Sequence, residues 1–561
     1  MTYRAFAVTA LLAAAAIVVS GAAGDPGNGD EKKLDKIQHI VVIYEENHSF
    51  DNLYGGWEGV NGRSDADTAN TIQVGQGGAP YACLLLNDVN LTPPPLPADC
   101  TDTTTGSTFM SHFTNTPFSI EAFISKTAKT CPPPGASSSV GFKDGTGDPG
   151  GCTRDLVNRF YQSQYQLNHG LQNHYTTGSD AVGLTQGYYE TTALPIYEYL
   201  HSKGHPDYAV ADGFFQAAFG GSFLNHHWLI AAATPTWSAA VHSVVDSNGM
   251  PISYSLYHAT GPVSDQAGPR ACPAPGAIDP NPGLACGEFA VNTVQPPYQP
   301  FRGSPQLPPQ NGTTIGDELS AAGVSWAWYS GGWSNANGDY LGAGWTNGPV
   351  AGVCGDPSSI PNPAWPYCPN KVFQYHHQPF NYYASYAPGT GGRTHLRDEA
   401  EFQSRVAASS KKCVLDSVSF VKPIGLENEH PGYTNEVRGS DHLVQLLTSI
   451  DNSECAKDTM VIVTYDEFGG QWDHVAPPGQ GATPGPHDQW GPGARIPTLI
   501  LAKDLKGKFV VDSTQYDTTS ILATIEQRYG LAPLSSRDAA VQDLSNVFNA
   551  KKATGDEDGD G

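Results

Sequence analysis

Basic residues are scarce in this chain: 30 Lys and Arg stand against 55 Asp and Glu, a formal charge of −25. With no concentrated basic patch, a surface for nucleic acid or an anionic membrane is excluded, because phosphate backbones repel an acidic protein. Binding of phosphate itself is not excluded, but it requires a local cation. Long apolar runs are equally scarce. The stretch from Ala5 to Val19 follows Arg4 and precedes small residues, as in a cleaved secretory leader. It is shorter than the roughly 18 to 20 residues of a membrane span. Residues 1–23 are therefore read as a signal peptide, and the product as secreted or periplasmic with no stable membrane anchor. CxxC pairs and Cys/His clusters of zinc-finger spacing are absent, as are internal repeats.

The cysteines that are present number ten, an even count suited to an oxidising compartment. Their order suggests local pairs: Cys83 with Cys100, Cys131 with Cys152, Cys272 with Cys286, Cys354 with Cys368, and Cys413 with Cys455. Most fall in Pro- and Gly-rich stretches, read as stapled surface insertions. Residues 24–34 and the acidic end 551–561 cannot bury apolar surface and are expected to be unstructured. Asp556, Asp558, Asp560 and Gly561 match the start of a calcium loop without its closing Glu, so a solvated tail is the better reading. The folded domain is then 35–550.

Within it, β-type runs occur at Ile37–Tyr44, Ser325–Tyr329, Val418–Val421, Met460–Tyr465 and Ile496–Leu501. Helical stretches at Leu156–Leu167, His442–Ile450 and Thr519–Tyr529 separate them. Strands alternating with helices predict an α/β fold with a mostly parallel central sheet. HIVVIY and MVIVTY are continuously apolar or β-branched, as expected of strands covered on both faces.

Both of those strands run into acid clusters: Glu45, Glu46, Asn47 and His48 after the first, Asp466 and Glu467 after the second. Carboxyl ends of parallel strands line the ligand crevice, so the clusters converge at one place. Carboxylates gathered with an amide oxygen repel one another unless a cation sits between them, which makes them ligands for a hard divalent metal. The alternative, that each cluster caps the helix after it, stays open. A second constellation is FGGSFLNHHWLIAAA at 219–233. Its glycines permit a tight turn, and Ser222 sits where a helix N-terminus favours an anion, although on the motif alone an ordinary helix cap is the better explanation. A third is histidine: His376 and His377 in FQYHHQPF, His430 in NEHPGY and His474 in WDHVAPP, all in turn-like settings.

EENHSFDNLYG, GYYETTALP, AFGGSFLNHHWLIAA, FQYHHQPF, FVKPIGLENEHPGY, TYDEFGGQWDHVAPP, GPGARIPTLI and YDTTSIL occur in that order across about 37–547. The set resembles the acid phosphatases and phospholipases C that share the alkaline-phosphatase-like fold. The resemblance implies one divalent metal ion held by Glu46, Asn47, Asp466, Glu467 and Ser222, with Ser222 also the nucleophile. It implies that Asn225, His376, His377 and His430 hold the phosphoryl oxygens or assist the leaving group. The expected reaction is attack of Ser222 on phosphorus, a phosphoserine intermediate, and hydrolysis of small phosphorylated substrates. Relatives usually carry His where this chain has Asn158, a position near the leaving group; His112, His169 or His174 are candidates to replace it. Ser222 and its context favour a phosphatase over a phospholipase C. A phosphate-binding protein without turnover, and a glycosidase with paired carboxylates, are the other classes to exclude.

Overall fold

The computed structural model describes residues 31–84, 98–104, 108–123, 153, 155–179, 182–239, 285, 287–347, 369 and 372–553. The leader, the calcium-loop-like end and the cysteine pairs 131/152, 272/286 and 354/368 lie outside the described residues.

The core is a nine-stranded sheet. In chain order its strands are β1 (His39–Glu45), β2 (Tyr208–Ala211), β3 (Trp326–Ser330), β4 (Leu396–Asp398) and β5 (Val418–Lys422). Then come β6 (Thr459–Tyr465), β7 (Thr498–Leu501), β8 (Phe509–Asp512) and β9 (Lys551–Lys552). Across the sheet they run β4-β3-β5-β1-β6-β7-β2-β8-β9. The β4-β3-β5-β1-β6 half is parallel throughout, whereas β7 is antiparallel to both its neighbours and β9 to β8. β1 and β6, the two continuous apolar runs, sit side by side at the centre with Glu45 paired to Tyr465. Every residue of β6 is buried, and every residue of β1 after His39, as strands covered on both faces require.

The larger helices are α1 (Phe160–Leu167), α2 (Ser222–Ala231), α3 (Glu399–Ala408), α4 (Glu436–Asp451) and α5 (Thr519–Tyr529). α2 packs on α5 and α3 on α4. The expected mixed architecture, mostly parallel and flanked by helices, is therefore what the chain forms. Local boundaries differ from the sequence expectation for physical reasons. α1 starts four residues late because Asp155–Arg159 are drawn out toward the carboxyl edge of the sheet. α4 starts early because the Asn435 side chain accepts from the Arg438 N–H and caps it. Ile496 is claimed by a bond from its N–H to the Phe214 carbonyl, so β7 begins only at Thr498. A helical turn at Glu31–Leu34 and the pairing of β9 extend regular structure into both ends expected to lack it.

Cys83–Cys100 and Cys413–Cys455 form disulfides as read from the sequence. The second joins residues separated by 42 in sequence. On loop-closure grounds a double Cys413→Ser/Cys455→Ser variant is expected to lose about 4 kcal/mol, measured by urea denaturation. An unchanged midpoint would contradict that.

Candidate active site

The carboxyl ends of β1 and β6 deliver their acids to one point. The Asp466 N–H donates to the Glu45 carbonyl, and Glu46 N–H donates to Asn428 O. Immediately after the strand, Asn47 adopts a left-handed backbone with φ of 58°. Asparagine tolerates that conformation better than most residues. Gly469 lies against this turn: a Cβ there would come within 2.2 Å of the Asn47 carbonyl oxygen, so the close approach requires glycine.

Ser222 reaches the same point from the other side. It is the first residue of α2, and Gly221, extended at φ −98°, is the N-cap with no side-chain capping bond. Ser222 is therefore not the helix cap that its sequence context allowed. Its Oγ stands 3.3 Å from Glu46 Oε2 and 3.4 Å from Asn47 Oδ1. The preceding Gly220 takes φ of 89°, and a Cβ on it would meet the Phe160 N at 2.7 Å.

Asn225 does not face the cavity. Its Oδ1 accepts from the Ala218 N–H at 2.9 Å, and its Nδ2 faces the carbonyls of Ala218, Gly220 and Gly221 at 3.2–3.3 Å. Instead of a contact to a phosphoryl oxygen, the expected role, this amide braces the turn that presents Ser222.

The histidines arrange themselves around Glu46. His377 Nε2 lies 2.7 Å from Glu46 Oε1, and His430 Nε2 lies 3.7 Å from Oε2. His430 Nδ1 faces the Pro431 carbonyl at 2.8 Å, which assigns its proton there and leaves Nε2 to accept from Asn47 Nδ2 at 3.2 Å. That bond fixes the Asn47 amide with its oxygen toward Ser222. His376 lines the adjoining cavity, together with Ser222, Asn47, Asn158 and His430. Burial and the neighbouring His377 hold His376 below the usual imidazole range, so it is neutral. His474 lies elsewhere, 2.6 Å from Asp51 Oδ2 in a buried brace with Arg495. None of His112, His169 and His174 lines the cavity.

Asn158 stands on the floor of this cavity. Its Nδ2 donates to Glu467 Oε1 at 2.6 Å and to Asp155 Oδ1 at 3.3 Å, while the Gly469 N–H donates to Glu467 Oε2 at 2.6 Å. Glu45 belongs to a different environment, where burial and the nearby Glu429 push its carboxyl well up. His48 clips two loops together. Nδ1 faces Asn52 Oδ1, and Nε2 faces both the Glu429 carbonyl and Glu436; the Glu436 carboxylate, with Glu429 behind it, raises the imidazole to about 9 despite its burial.

Two groups here escaped the reading of sequence. Lys422, the last residue of β5, is fully buried and places Nζ 2.5 Å from Glu46 Oε1. A lysine directly after the apolar run Val418–Val421 was the signal available for it. His226 faces Asp466 Oδ2 at 3.7 Å and the Ser222 carbonyl at 2.8 Å, and it stacks on His377 at 5.0 Å. The ligand atoms of Glu46, His226 and His377 lie within 4.8 Å of one another. However, Glu46 Oε1 is already taken by Lys422 and His377, so only Oε2 is turned toward Ser222. Burial would raise Glu46, but His377 and Lys422 hold it well below the usual carboxylate range. Removing this lysine as Lys422→Met leaves a buried anion short of a partner and is expected to cost about 3–5 kcal/mol in denaturant unfolding. A loss below about 1 kcal/mol would contradict its role.

The donor set fits a hard divalent ion. Glu46 Oε2, Asn47 Oδ1 and Ser222 Oγ converge from one side, and Asp466 Oδ2 is buried without a hydrogen bond. Burial and the Glu46 charge push Asp466 well up, while burial and Asp466 do the same to Glu467. Carboxylates that repel one another in a buried oxygen-lined corner are what a cation relieves. Beside them, the N-terminal end of α2 favours an anion on the cavity side. A corner for a cation opening on a seat for an anion is the arrangement that phosphoester chemistry needs.

The comparisons agree with this chemistry. Phospholipase C B of Mycobacterium tuberculosis is 32% identical over 167 residues, covering 26% of this chain and 31% of that protein. Non-hemolytic phospholipase C of Burkholderia pseudomallei is 28% identical over 282 residues, 43% of this chain and 36% of that protein. Non-specific phospholipase C6 of Arabidopsis thaliana is 28% identical over 175 residues, 27% of this chain and 33% of that protein. The chain thus spans about a third of the length of the curated relatives it matches. The model described as Phosphoesterase family runs far beyond those stretches, over residues 37–532, and takes in both acid clusters, Ser222 and the histidines: the chain belongs to the phosphoesterase family.

Proposed function

We propose that the chain is a secreted, metal-dependent acid phosphatase that hydrolyses phosphate monoesters through a phosphoserine at Ser222. The observation that carries this reading is the position of Ser222 Oγ, 3.3 Å from Glu46 Oε2 and 3.4 Å from Asn47 Oδ1, on the wall of a cavity of about 310 Å³. Glu46, Asn47, Asp466, Glu467 and Ser222 would hold one divalent ion, which when bound neutralises charge and makes a hydroxyl nucleophilic at low pH. Ser222 forms a bond to phosphorus as the ester oxygen leaves with a proton. Water then attacks the same phosphorus, the P–Oγ bond breaks, Oγ takes up a proton from that water, and inorganic phosphate is released. His376 and His430 face the phosphoryl oxygens from the cavity wall, and Asn158 orients Glu467 rather than supplying a proton. Leader-like first residues and two disulfides support export. The acid clusters sit together with Ser222, not on opposite sides of a sugar-sized gap, so the glycosidase reading is dropped.

A second reading has its own support: the relatives named above are phospholipases C, which makes a phosphodiester of a lipid headgroup the competing substrate. The test is hydrolysis of a chromogenic phosphomonoester and of a phosphocholine ester across pH, before and after chelation. Turnover of the monoester, lost on chelation, supports the proposal. Turnover of the phosphocholine ester alone favours the phospholipase, and turnover of neither with metal restored defeats both.

A further inference from the structure

The cavity beside Ser222 has room for a phosphoryl group together with its alcohol, and most of the residues that line it carry polar side chains. At about 310 Å³ it lies at the small end of ligand pockets. Among the described residues Phe223 and Val291 are its aliphatic or phenyl side chains; hydroxyl, amide, imidazole and charged groups supply most of the rest.

One pair in the wall is arranged for a specific task. Gln374 Nε2 donates to the Tyr433 hydroxyl oxygen at 2.5 Å. With that oxygen accepting, the Tyr433 O–H is turned to donate, and Gln374 Oε1 remains to accept. A donor and an acceptor side by side match a hydroxyl, which offers one of each. The Tyr433 ring also packs on His430, with centroids 4.2 Å apart, so the pair is held at a fixed distance from the phosphoryl seat.

We infer that Gln374 and Tyr433 select monoesters whose alcohol carries a further hydroxyl, the class of polyol and sugar phosphates. The inference rests on the phosphomonoesterase reading above and names its substrate class. A site built to bond a hydroxyl discriminates against the analogue lacking it more strongly than an apolar pocket discriminates by size.

The test uses the metal-loaded full chain and compares kcat/KM for glycerol phosphate and for n-propyl phosphate, which has the same carbon chain without the hydroxyls. Wild type is expected to prefer glycerol phosphate by about tenfold or more. Tyr433→Phe keeps the ring on His430 and removes only the donor, and Gln374→Leu removes the acceptor. Each is expected to shrink the preference by about tenfold. Equal turnover of the two esters by wild type, or a preference unchanged in both variants, overturns the inference. Phenyl phosphate separates the two levels. If it is hydrolysed while neither alkyl ester is, this inference alone fails; if none of the three is hydrolysed, the phosphomonoesterase reading fails with it.

Discussion

Replacing Ser222 by Ala is expected to lower kcat/KM for any phosphomonoester by roughly 10³-fold or more, with folding unchanged. The side chain is small, only partly buried, and outside the capping of α2, which Gly221 and the braced turn before it provide. Loss of Oγ therefore removes little packing. What it removes is the hydroxyl that faces Glu46 Oε2 and Asn47 Oδ1. A Ser222→Thr variant keeps a hydroxyl and separates chemistry from folding, because it retains part of the rate if the oxygen is what matters. Full activity in Ser222→Ala would remove the assignment.

The second large effect concerns the acids. In the metal-free protein, burial holds Asp466 and Glu467 well above the usual carboxylate range, helped by the Glu46 charge for Asp466 and by the Asp466 charge for Glu467. The folded state then binds more protons than the unfolded chain between the ordinary carboxylate value and the raised folded values. The contribution of these two acids to the stability of the metal-free protein therefore falls as pH rises through that window, because for them the excess of protons on the unfolded state is negative. A divalent ion takes the place of those protons and abolishes the fall. At a hundredfold excess over its Kd it adds about 2.7 kcal/mol. Asp466→Asn is expected to weaken the ion by roughly 100-fold and to erase most of this gain. Thermal unfolding across pH, with and without chelator, reads both effects. Identical curves in all four conditions would contradict a cation at this corner.

Much of this corner was legible from strand character alone. HIVVIY and MVIVTY are apolar on both faces, which only a central strand tolerates, and acids directly after such strands have nowhere to go except the crevice at their ends. Register then did the rest: with Glu45 opposite Tyr465, Glu46 and Asp466 meet. Short or interrupted elements were not legible. β2 and β8 are four residues each, too brief for a period to declare itself. The late start of α1 follows from the bond of Asn158 to Glu467, a contact across 309 residues that no local pattern encodes. Asn225 shows the limit of transferring a role by motif: the residue is where the motif has it, but its amide is used up by the backbone of residues 218–221. Tyr433 and Gln374, 59 residues apart, meet only because the loops after β3 and β5 fold over the same edge.

The most direct measurement is to quench the wild-type protein with acid during turnover of a phosphate monoester and map the phosphorylated peptide. The account predicts phosphate on Ser222, dependent on added divalent ion and absent after chelation. Phosphate on a different residue, or steady turnover with no phosphopeptide and undiminished activity in Ser222→Ala, would contradict it.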